Sequence, residues 1–105
     1  MTTMPKPPPQ FSEFVKTYPE VARAYEALGK SVRGAGPLSE REIALVKLAI
    51  SVGARMQGAA HAHTRKARAV GVEPEALRQV ALLACPTIGF PNMMAALGWV
   101  NETIE

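Results

Sequence analysis

The apolar positions of this chain recur at helical spacing, and the densest run lies between Ser39 and Ala54. There Ile43, Ala44, Leu45, Val46, Leu48, Ala49, Ile50 and Val52 fall almost all the way round a helix. That pattern predicts burial on every side. Past the first turn the polar residues are Lys47 and Ser51, with Arg55 just beyond. Four residues apart, they share one stripe, which either meets water or lines a site. Ser39-Glu40-Arg41-Glu42 predicts the helix start as a capping box: the Ser39 hydroxyl takes the Glu42 backbone N–H, and the Glu42 carboxylate reaches back. Gly53-Ala54-Arg55 is the expected joint to a second helix, Met56 to Val70. On it Met56, Ala59, Ala60, His63, Ala67 and Val70 share one face, with Gln57, His61, Thr64, Arg65 and Arg68 mainly on the other. His63 is therefore expected to point inward. His61, roughly 200° round the helix, is expected to point sideways or outward. Gly58, Ala59, Ala60 and Ala62 leave room for another backbone to approach closely.

The flanking segments read as helices too. Met1 to Gln10 holds Pro5, Pro7, Pro8 and Pro9 and is expected to be a proline-rich arm, residues 1–10, ahead of a single helical domain, 11–105. Ser12 is expected to cap a short turn, Glu13 to Thr17. Pro19 opens a helix running to about Arg33, with Val21, Ala24, Tyr25 and Leu28 on one side, and Gly34, Gly36 and Pro37 end it. Gly71 stops the second central helix. Pro74 begins another through about Ala84, with Leu77, Val80, Ala81 and Ala84 inward, and Cys85-Pro86-Thr87 breaks it. Phe90-Pro91 leads into the last helix, striped by Met93, Leu97, Val100 and Ile104. No strand-length alternation stands out. The expected fold is all-α, a compact bundle of five to six helices.

Composition narrows the classes of function. From Gln79 to Asn101 there is neither a charged side chain nor a histidine. Pro86, Gly89, Pro91 and Asn92 interrupt that run, so a membrane span is not expected. Its apolar surface exceeds what a thin monomer core hides, which favours a homo-oligomer. A net charge of +3, with nine acidic residues interspersed, gives little reason to expect a nucleic-acid partner. Arg65, Lys66 and Arg68 read as a solvated face. The single cysteine can form no intrachain disulfide, and with no apolar leader in Met1 to Gln10 a cytoplasmic protein is expected. Two histidines two residues apart on a helix diverge, so no metal site and no cofactor are expected.

Several stretches together resemble a known family. They are Leu38-Ser39-Glu40-Arg41-Glu42, Ala49-Ile50-Ser51-Val52, Met56-Gln57-Gly58-Ala59-Ala60-His61-Ala62-His63 and Ala69-Val70-Gly71-Val72-Glu73-Pro74-Glu75. The later Gly89-Phe90-Pro91 and Met94-Ala95-Ala96 fit the same layout. The chain resembles the carboxymuconolactone decarboxylase and alkylhydroperoxidase-D-like family over roughly Leu38 to Val100. The resemblance implies a trimer or a hexamer of dimers, with pockets near subunit contacts. Peroxidase members carry Cys-x-x-Cys-x-x-x-His at the start of the second central helix and a relay glutamate in the first. Aligned on His63, the cysteine positions fall on Met56 and Ala59, and the glutamate falls on or near Ala44. A thioether and a methyl group cannot cycle through a disulfide, and Cys85 matches no motif position. The decarboxylase branch needs no thiol pair, but Gln57 and Ala59 stand where its acidic residues would be sought.

The residues thus favour proton and charge chemistry. His63 is the candidate acid or base and Lys47 the candidate clamp for an anion. Ser51, Met56, Gln57, Ala59 and His61 are the candidate substrate-binding residues, and the expected ligand is a small carboxylate or lactone. Two alternatives stand beside this one. The first is an alkylhydroperoxidase-type oxidoreductase, which the missing cysteines disfavour. The second is a ligand-binding or assembly scaffold without catalysis.

Overall fold

The computed structural model describes residues 9–104, and among these every regular element is a helix. The described chain forms two compact units, residues 9–38 and 39–104. The first holds α1 (Pro9–Thr17) and α2 (Pro19–Arg33). The second holds α3 (Glu40–Gly53), α4 (Gln57–Ala69), α5 (Pro74–Leu82), the four-residue α6 (Cys85–Ile88) and α7 (Phe90–Ile104).

In the first unit, α1 opens on Pro9, not on a turn capped by Ser12. A proline loses nothing at the first position of a helix, where its missing N–H would have no partner anyway. The expected arm falls almost wholly on residues 1–8, which lie outside the described residues. Tyr18 interrupts the helix with φ −128° ahead of Pro19. Helical bonding nonetheless runs through it, from Tyr18 N to Phe14 O (2.8 Å) and from Ala22 N to Tyr18 O (3.0 Å). No residue of α1 or α2 is fully buried.

The second unit is built around close helix contacts. α4 packs on α3 and on α7, while α5 packs on α7 and α3. Leu48, Val52, Ala60, Ala67, Val72, Leu77, Ala81, Ala84, Met93, Ala96 and Val100 form the core. Five of these eleven are alanines, which let helix axes approach closely. The capping box forms as expected: Glu42 N donates to Ser39 Oγ (3.1 Å) and Ser39 N to Glu42 Oε1 (2.8 Å). These bonds, the Ser39 backbone N–H foremost, hold the Glu42 carboxyl below its ordinary range. An ion pair from Arg41 to Glu73 and a bond from Arg78 Nε to Asn101 Oδ1 (2.9 Å) link α3 to the start of α5 and α5 to α7.

Two expectations about orientation change. α3 is not buried all round: Leu48, Ser51 and Val52 are inside, whereas Val46 and Ile50 are exposed. Of the polar stripe, Ser51 is buried, Lys47 half-buried and Arg55 exposed, while part of the apolar surface faces out. On α4 the buried line is Ala60, Thr64 and Ala67, with Met56 and Val70 exposed. Thr64, expected on the outer face, is inside because α4 is covered from two sides.

The ends of α3 and α4 are closed by one device. Arg55 N bonds Val52 O and Met56 N bonds Ser51 O; Gly71 N bonds Arg68 O and Val72 N bonds Ala67 O, each at 3.0 Å. Both are Schellman closures, which put one residue in the left-handed region. At the end of α4 that residue is Gly71 (φ 91°) and at the end of α3 it is Arg55 (φ 59°).

Candidate functional site

Lys47 and Ser51 lie one turn apart on α3, half-buried and buried respectively. The Ser51 hydroxyl donates to Lys47 O at 2.9 Å, so its proton is held within its own helix. Arg55 does not continue the stripe: it is exposed, past the end of α3, in the left-handed conformation.

His63 projects from α4, half-buried. Burial pushes its imidazole below the usual histidine range, and the nearby positive charges of Lys66 and then Lys47 push it further the same way. All three effects disfavour the charged ring. The neutral form of the His63 ring is thus favoured, within electrostatic reach of Lys66 and Lys47. An anion arriving there would relieve their repulsion and strengthen the ring's hold on a proton. Lys66 is exposed, as expected of a solvated face, yet its charge reaches the His63 ring. Its spacing of three from His63, one neighbouring position on a helix, was the signal that could have found it.

The other candidates lie around this pair without converging on it. Met56 caps α4 and, like Gln57, is exposed; Ala59 is half-buried one turn on. His61 is more enclosed than expected, its side chain 26% exposed, and its Nε2 lies 3.9 Å from Glu102 Oε2 of α7. That is too long for a hydrogen bond, and His61 Nε2 is buried with no partner. So one histidine is coupled to α3 through Lys47 and the other faces α7. Thr64, fully buried and next after His63 in sequence, has an Oγ1 with no partner either. Sequence reading missed Thr64 and Glu102 as neighbours of the histidines.

Cys85 opens α6 as a free, half-buried thiol packed against the core. Among the described residues, no group of three or more histidine, cysteine, aspartate or glutamate side chains is placed to hold a metal ion. No helix among them is long and apolar enough to cross a membrane.

A family model described as the carboxymuconolactone decarboxylase family matches residues 19–102, about four fifths of the chain. No curated protein and no solved structure matches it.

Proposed function

From the premise that the chain belongs to the carboxymuconolactone decarboxylase family, we propose that it is a thiol-independent enzyme acting on a small carboxylate or lactone. What supports this reading is the half-buried His63 imidazole, whose hold on a proton is weakened by burial and by the charges of Lys66 and Lys47. Lys47, half-buried on α3 and with its charge felt at His63, clamps the substrate anion. His63 takes a proton from the substrate and returns it to the carbon or oxygen that becomes electron-rich. Charge that develops in such a step is met by the half-buried Lys47, with the exposed Lys66 adding its charge from the solvent side. Ser51, Met56, Gln57, Ala59 and His61 are assigned to the walls around the ligand. No cofactor is needed for proton transfer of this kind.

A dithiol peroxidase cycle is disfavoured on chemical grounds. It requires two thiols that close a disulfide, and the chain has one cysteine. The same reading makes the protein a cytoplasmic homo-oligomer, a trimer or hexamer. Association is supported by exposed apolar side chains on several helices, among them Ile50, Leu82 and Phe90.

The test is turnover of a panel of small lactone carboxylates by the purified chain, compared with His63→Ala and Cys85→Ser. Activity should vanish in the first and persist in the second. Turnover unchanged by His63→Ala would remove the mechanism. Tight binding of carboxylates with no turnover in any variant would select a binding scaffold in its place.

A further inference from the structure

α2 carries a surface that nothing in the chemistry above uses. Tyr18, Val21, Tyr25, Leu28 and Val32 follow one another at spacings of three, four, three and four. That is the seam of a heptad repeat. All five are between 55% and 63% exposed. Phe14, one step earlier in the same spacing, brings its ring to 6.0 Å from that of Tyr18 and continues the stripe into α1. Beside the seam stand only small residues: Ala22 and Gly29 on one flank, Ala24 and Ser31 on the other. Every charged residue of α2, namely Glu20, Arg23, Glu26, Lys30 and Arg33, falls on the opposite half of the helix.

We propose that this face is a symmetric interface at which α2 of one copy packs antiparallel on α2 of a second copy. This deepens the homo-oligomer part of the reading above and is independent of the chemistry at His63.

Four observations select a second copy. The seam residues carry no charge, and the one guanidinium near them, Arg33, lies over Gly29 on the flank, so the seam can meet itself as a two-fold interface requires. Its area is adequate: with the exposures above and usual side-chain areas, the seam together with Phe11 and Val15 offers roughly 700 Å² per copy, against about 800 Å² per partner in a standard interface. Its layers interdigitate in one antiparallel register, which sets Phe14 against Val32, Tyr18 against Leu28 and Val21 against Tyr25. Each layer then pairs an aromatic with an aliphatic side chain, as even packing demands. A parallel pair would stack ring on ring and valine on valine. Finally, the antiparallel register opposes the two helix dipoles. The small flanking residues let the axes come close enough for the layers to meet.

The test has two arms on the full-length chain. The first is Leu28→Glu, measured by sedimentation with helicity checked by circular dichroism. The solution mass should fall at least twofold with helicity retained. The second is Val21→Cys with Tyr25→Cys in a Cys85→Ser background, under mild oxidation. A reducible dimer should form, while Arg23→Cys in the same background, on the outer half of the helix, should form none. An unchanged mass for Leu28→Glu overturns the proposal. So does a loss of mass without the Val21–Tyr25 cross-link, which would mean that a different surface of the second copy takes the seam. Vesicle binding by a monomeric wild-type chain would overturn it in favour of a lipid surface.

Discussion

Replacing Arg55 by glycine should stabilise the protein. Arg55 occupies the left-handed position of the Schellman closure that ends α3, at φ 59°, with Val52 O and Ser51 O taking the two closing N–H groups. An L-residue with a Cβ pays about 1–2 kcal/mol in that conformation. Glycine pays no such cost, but its looser unfolded chain returns about 0.4–1 kcal/mol of the gain. The net gain is about 0.5–1 kcal/mol, or roughly 3–6 °C in Tm for a domain of this size. The chain supplies its own control. The matching closure at the end of α4 has Gly71 at φ 91°, and a Cβ there would meet nothing within 4 Å. Gly71→Ala should therefore lose about 1 kcal/mol for conformational reasons alone. Urea unfolding followed by circular dichroism measures both, at one fixed protomer concentration because association would shift the midpoint. The reasoning fails if Arg55→Gly lowers or leaves the midpoint while Gly71→Ala lowers it. The Arg55 side chain would then supply an interaction that outweighs its backbone cost.

Two further outcomes are expected. Thr64 is fully buried with an unpartnered Oγ1, so Thr64→Val, nearly the same shape, should raise stability by about 1 kcal/mol; a loss of that size would show that the hydroxyl has a partner. The His63 proton is bound more weakly in the folded chain than in the unfolded chain. Stability from this group is thus full above about pH 6.5 and declines as pH falls from there through the depressed folded value. His63→Gln should flatten that slope in urea midpoints taken between pH 7.5 and 5, and an identical slope would count against the depression.

The features that could be read from sequence are the local ones. The capping box needs four consecutive residues, and Pro19, Gly71 and Pro74 punctuate the chain by their backbone chemistry alone. The start of α1 was missed because a run of prolines was read as an arm, although the last of them is well suited to open a helix. The faces of α3 and α4 were harder. Periodicity tells which residues share a face, not which face is covered. Val46 and Ile50 stand exposed although they continue the apolar run, so the run alone did not mark the covered side. Thr64 lies inside because α4 is rich in alanine and has no large hydrophobe to fix its inward side. At the candidate site, His63 and Lys47 were named from residue type and helix position, and the structure adds their electrostatic coupling and the third member, Lys66.

The central claim is that the chemistry left to this chain belongs to a neutral imidazole set among cations, with no sulfur involved. It is tested most directly by an NMR titration of the His63 ring in the wild type, in Lys47→Met and in Lys66→Met. The account predicts a midpoint below the usual histidine value in the wild type and a rise in each variant, the larger with Lys66→Met. A wild-type midpoint at or above the usual value, unmoved by either substitution, would contradict it.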